Sequence, residues 1–73
     1  MKVLELAKQL GVTAETVRFY TRIGVLRPNK DSTNGYRMYS DNDYRRLRFV
    51  LNARQLGFSV DDIKEILTHA DKQ

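Results

Sequence analysis

Thr13, Thr16, Arg18 and Arg22 follow one another closely among apolar side chains, and a second basic group, Arg27, Lys30 and Arg37, is interleaved with Tyr36 and Tyr39. Hydroxyls and guanidinium groups at this density suit hydrogen bonding to phosphate oxygens and base edges. Arg18 and Arg22 stand four residues apart, a like-charge pair that mildly destabilises an isolated helix and is better placed opposite an anion. A solvated helix surface is the plain alternative for either arginine alone. For Tyr36, Met38 and Tyr39 the expected role is packing beneath a hairpin. Strand alternation puts Tyr36 and Met38 on one face and Arg37 and Tyr39 on the other, so Arg37 points away from part of the core.

Catalytic chemistry has little to work with in this chain. Zero Cys and the lone His69 leave no disulfide, thiol nucleophile, zinc finger or Ser-His-Asp relay. Ser32, Ser40 and Ser59 lack plausible His and acid partners, Asp61-Asp62 reads as compensation of a helix dipole, and no Gly-rich loop leads into a helix. An enzyme is not expected, and neither a cofactor nor a metal site is expected. No run approaches the roughly 18 apolar residues of a membrane span, and Glu5 comes too early for a secretory signal. No membrane partner and a cytoplasmic location follow as expectations.

Seventy-three residues make at most one domain, with 41% hydrophobic and 30% charged positions typical of a folded chain. At this size only roughly 60% of the unfolded surface can be buried, so the core is thin and a partner is a natural source of support. Thirteen basic against nine acidic residues give a net charge of +4. Residues 1–39 hold seven basic and three acidic groups, 40–58 four and two, and 59–73 two and four. A basic excess confined to the first three quarters fits an anionic partner, nucleic acid first.

The elements that must position these groups are legible from periodicity and caps. Val3, Leu6, Ala7 and Leu10 form one apolar stripe closed by Gly11; Thr13 caps a second helix from about Ala14 to Ile23, closed by Gly24. Pro28, the polar run Asn29–Gly35 and the Asn34-Gly35 pair end helical periodicity, which leaves Val25–Arg27 and Tyr36–Tyr39 as short strands of a hairpin with a loose, mobile tip at Asp31-Ser32-Thr33. Ser40-x-x-Asp43 and Ser59-x-x-Asp62 resemble capping boxes opening two further helices. The third buries Tyr44, Leu47, Val50 and Leu51 and turns Arg45, Arg48 and Asn52 outward, ending at Gly57. The fourth buries Val60, Ile63 and Leu67, with Ile66 and Ala70 broadening the stripe, and Asp71-Lys72-Gln73 carries no stop signal. The expected fold is mainly α with a small β-hairpin wing, a winged helix-turn-helix of four helices. It divides into a helix-turn-helix at 2–24, a wing at 25–39 and a helical pair at 40–70 of a single domain, 1–73. On spacing alone an ordinary helical hairpin fits the first two helices as well.

The order Leu6-Ala7, Gly11-Val12-Thr13, Thr16-Val17-Arg18-Phe19-Tyr20, Ile23-Gly24-Val25-Leu26-Arg27-Pro28, Asn34-Gly35-Tyr36-Arg37-Met38-Tyr39, Leu47-Arg48-Phe49-Val50 and Leu56-Gly57-Phe58-Ser59 resembles the N-terminal domain of MerR-family transcriptional regulators over essentially the entire chain. The resemblance implies sequence-specific binding to a pseudo-palindromic promoter in double-stranded DNA, with the second helix in the major groove and the wing on flanking backbone. It implies that Arg18 and Tyr20 hold phosphates or bases, that Thr13 and Thr16 lie near base edges, and that Arg37 clamps the backbone. Arg22, Lys30 and Tyr36 join the same surface, with Arg45 and Arg48 extending it along the third helix. It further implies promoter distortion that brings two RNA polymerase recognition elements into register, at a deformation cost offset by phosphate contacts.

Regulators of this family continue into a coiled-coil dimerisation helix and an effector-binding segment, whereas this chain stops at Gln73. A homodimer is expected where a longer chain supplies the coiled coil, and a monomer otherwise. Around Asn52–Ser59 the chain looks most like the metal-responsive branch, whose thiolates lie beyond its end. Phe19, where Tyr is common in the family, lacks a hydroxyl and is expected to pack only. Two other classes stay open: a stand-alone excisionase-like or architectural DNA-binding protein, and a protein-binding adaptor that docks through the acidic last helix.

Overall fold

The computed structural model describes residues 1–31 and 33–72. Along the chain run α1 (Val3–Leu10), α2 (Ala14–Arg22), β1 (Asn29–Lys30), β2 (Arg37–Met38), α3 (Asp41–Gln55) and α4 (Val60–Asp71). Leu6 and Ala7 of α1 and Val17 of α2 are buried, where α1 packs against α2. Gly11 makes the sharp turn between them, at φ 68°. Val12 N–H donates to the Ala7 carbonyl and Gly11 N–H to that of Lys8, the double closure that needs a left-handed residue. A Cβ at Gly11 would meet nothing within 4 Å, so the backbone conformation rather than space demands glycine here.

Serine caps open the last two helices as their sequence suggests. Asp43 N–H donates to Ser40 Oγ while the Asp43 carboxylate accepts from Ser40 N–H; Ser59 and Asp62 repeat the arrangement. Helix α3 is the central support, with Leu47 and Val50 fully buried, α1 packed on one side and α4 on another. Ile63 and Leu67 of α4 complete the core, which also contains Val25, Leu26 and Tyr39 from the wing region. Ile66 and Ala70 do not broaden the buried stripe of α4. Both are exposed, because α3 covers only the Ile63–Leu67 side.

The first strand is displaced from its expected place. Val25 to Arg27 form no strand, since their backbone donors are already engaged: Val25 N–H and Leu26 N–H both reach the Tyr20 carbonyl, and Arg27 N–H donates to Asp43 Oδ1 at 3.0 Å. Pairing starts beyond Pro28, antiparallel, with Asn29 opposite Met38 and Lys30 opposite Arg37. Gly35, at φ 74°, closes the loop as Asp31 N–H donates to the Tyr36 carbonyl. The expectation of a mobile tip rests partly on Ser32, which lies outside the described residues, as does Gln73.

Candidate nucleic-acid interface

Helix α2 is held by its inward face and presents the other. Val17 and Tyr20 are buried, whereas Glu15, Arg18, Phe19 and Arg22 are exposed at the i, i+3, i+4, i+7 spacing of a single stripe. At its start Thr13 Oγ1 accepts from Thr16 N–H at 3.1 Å and lies 3.0 Å from Thr16 Oγ1. Thr13 therefore caps the helix, and the two hydroxyls sit together at the end nearest the turn.

The arginine pair is not the bare repulsion that its spacing suggests. Glu15 lies 3.8 Å from Arg18 and 3.3 Å from Arg22, bridging both on the solvent side. Such exposed pairs contribute at most about 1 kcal/mol, so Glu15 relieves the helix without holding either guanidinium firmly. Like charges are also opposed in the wing, without an acidic partner among the described residues. Lys30 and Arg37 are directly opposed across the two strands, an arrangement that disfavours pairing, and neither forms a salt bridge among the described residues.

Tyr20 departs from its expected role. At 7% exposure it belongs to the hydrophobic core and offers a ligand little surface. Its position one turn after Val17 was the signal that would have placed it inward. Tyr36 departs in the opposite direction: it is 58% exposed rather than packed beneath the hairpin. The Lys2 ammonium lies 4.9 Å from its ring centroid, which adds beside the wing a cation that no motif or spacing singles out.

Tyr39 does pack inward and also couples the wing to α2. Thr21 Oγ1 donates to the Val17 carbonyl at 2.8 Å, so its lone pair is free to accept the Tyr39 hydroxyl proton across 2.7 Å. Tyr39 also exchanges two hydrogen bonds with Met1, at 2.6 and 2.7 Å. These links hold β2, the start of α1 and the middle of α2 as one frame beneath Arg18, Arg22 and Arg37.

Arg45 and Arg48 are exposed on α3. Arg48 lines an open groove of about 740 Å³ together with Gly11 and Val12 of the turn and Tyr44 and Asn52 of its own helix. It thus stands beside the start of α2, whereas Arg45 does not line this groove. Arg46 is structural: its Nε donates to the Val25 carbonyl at 2.8 Å, and its terminal nitrogens grip Asp71 at 2.8 and 3.4 Å. The Arg46 hydrogen bond, aided by its charge and that of Arg27, holds the Asp71 carboxyl below the ordinary value of 3.8 against the opposing effect of burial. Among the described residues no cluster of His, Cys, Asp or Glu could hold a metal ion, and no helix is long and apolar enough to cross a membrane.

Residues 1–70 match the family described as MerR HTH family regulatory protein. The chain belongs to the MerR family. It is 46% identical over 67 residues to heavy metal-dependent transcription regulator 2 of Rhizobium meliloti (strain 1021), a match covering 92% of this chain and 46% of that protein. Its fold superposes on HiNmlR, a MerR-family regulator lacking the sensor domain and bound to promoter DNA, with a TM-score of 0.87 and 28% identity over 96% of this chain and 53% of that one. It is also similar to EcmrR in a complex with DNA and RNA polymerase (TM-score 0.76, 30% identity, 99% of this chain and 26% of that one). Among its described residues this MerR chain is a winged helix-turn-helix of four helices with a two-stranded hairpin. It spans about half the length of the curated relatives it matches, from 39% to 56%.

Proposed function

We propose that this chain binds double-stranded promoter DNA sequence-specifically to regulate transcription, with α2 in the major groove and the wing on the backbone. The observation that carries the reading is the opposed, uncompensated Lys30–Arg37 pair, which an anion between or over the two strands would relieve. Residues 1–73 act as one DNA-binding domain: helix-turn-helix 2–24, wing 25–39, helical pair 40–70. Thr13 and Thr16 stand near base edges, Arg18 and Arg22 contact phosphates or bases along the groove, and Lys30, Tyr36 and Arg37 hold the backbone. Arg48 extends the contact beside the turn and Arg45 farther along α3; Tyr20 acts chiefly by fixing the helix from below.

Two copies on a pseudo-palindrome distort the promoter, and RNA polymerase occupies the same DNA. The polymerase-bound relative supports that assembly, and a coiled coil in a longer chain would make the dimer permanent. The chain is no enzyme and works in the cytoplasm. Duplexes selected from a random pool, compared with scrambled duplex across a salt series, test the reading. An inverted-repeat consensus with affinity well above the non-specific background is expected. Salt-sensitive but sequence-blind binding would assign the chain to architectural proteins instead, and negligible binding at low salt to protein-binding adaptors.

A further inference from the structure

We infer that Phe19 is a base-reading residue whose ring makes the apolar contact to a thymine methyl group in the major groove; the inference rests on the DNA-binding reading above. Phe19 is 39% exposed on the same stripe of α2 as Arg18 and Arg22, so its packing against Tyr20 leaves part of the ring open to a partner. It therefore does more than the packing expected of it from the sequence.

The ring is fixed before any ligand arrives. Its centroid lies 5.0 Å from that of Tyr20 at an interplanar angle of 77°, the edge-to-face arrangement that aromatic pairs favour. Tyr20 in turn is held in the core. A ring with two side-chain torsions, already braced by a buried neighbour, loses little freedom when a surface closes over it.

Groove chemistry then selects the target. Phe19 has no hydrogen-bonding group, so the donors and acceptors on guanine, cytosine and adenine edges offer it nothing, and a phosphate offers less. The thymine C5-methyl is the one apolar feature on the major-groove edge of the base pairs, and it is read by apolar side chains. Thr16 precedes Phe19 by three residues and Arg22 follows by three, so one row along the helix presents a hydroxyl, an apolar ring and a guanidinium to successive parts of the groove.

Replacing each thymine of the selected duplex in turn by deoxyuridine, which removes the methyl group alone, tests this with the unaltered protein. At one thymine in each half-site the affinity is expected to fall about fourfold, the worth of burying one methyl-sized group, while the other replacements have little effect. Phe19→Ala is expected to bind the parent and that deoxyuridine duplex equally, and Phe19→Leu to retain part of the difference, with thermal unfolding confirming that each variant is folded. Equal affinity of the unaltered protein for every deoxyuridine duplex would overturn the inference. So would an undiminished methyl effect in Phe19→Ala, which would give the contact to another residue. Failure of the unaltered protein to prefer the parent duplex over scrambled DNA would remove the DNA-binding reading itself, and this inference with it.

Discussion

Two groups of arginines in this small domain have opposite fates. Arg46 is 13% exposed at its side chain, with donors spent on the Val25 carbonyl and on Asp71; Arg18 and Arg22 are 48% and 59% exposed and share one solvent-facing carboxylate. Arg37 has no acidic partner among the described residues and faces a lysine across the hairpin. The first group builds the root of the wing, because it ties the segment after α2 to α3 and to the end of α4. The second is left available for a partner. Arginine count and net charge do not separate the two, whereas the location of the donors does.

Removing Arg46 should break this contrast most severely. Arg46→Ala loses a charge-assisted bond to a buried carbonyl, and about 1.5–3 kcal/mol of stability is expected to go with it, read as a lowered urea midpoint. The exposed arm to Asp71 adds little. Next comes Tyr39→Phe, which removes the hydroxyl that Thr21 accepts from and is expected to cost about 1 kcal/mol. A midpoint unchanged by Tyr39→Phe would show that the wing is not coupled to α2 through this bond.

Acidification sharpens the same comparison. Asp71 is held below its ordinary value chiefly by the Arg46 hydrogen bond, so its contribution to stability is complete above the unfolded-state value near 3.8 and is lost as pH falls through the lower folded value. Unfolding midpoints of the unaltered protein and of Asp71→Asn, measured from pH 7 downward, are expected to converge below pH about 4. A gap that persists undiminished into strong acid would contradict that assignment. The smallest effect on folding belongs to Glu15→Gln, with stability changed by no more than about 0.5 kcal/mol. DNA affinity should rise, because Arg18 and Arg22 lose the carboxylate that competes with phosphate; a fall in affinity would mean that Glu15 positions the arginines instead of competing for DNA.

What was legible in the sequence follows the same division. Caps such as Ser40 with Asp43 and the turn at Gly11 rest on groups a few residues apart, and they read correctly from local spacing. So do the buried faces of α1 and α3. The strand at Val25–Arg27 misled because its hydrogen-bonding groups are taken by Asp43 and Arg46, 16 and 21 residues away, and local periodicity carries no trace of such partners. Tyr20 could have been placed inward from Val17, whereas the exposure of Tyr36 depends on how the hairpin stands over α1. Ile66 looked buried by period alone, but the width of a buried stripe is set by the neighbouring helix. For the interface, the basic residues of α2 and the wing were legible, while the bridging role of Glu15, the addition of Lys2 and the exposed ring of Phe19 depended on the fold.

The most direct measurement is the slope of log affinity against log salt for the selected duplex, taken for the unaltered protein, Arg37→Ala and Arg46→Ala. If the wing arginine clamps a phosphate, Arg37→Ala reduces the magnitude of the slope by about 0.9 at an undiminished urea midpoint, since it also removes the like charge opposite Lys30, and Arg46→Ala, under conditions where it remains folded, leaves the slope as it was. An unaltered slope in Arg37→Ala, or an equal reduction in folded Arg46→Ala, would contradict the division between interface and structural arginines.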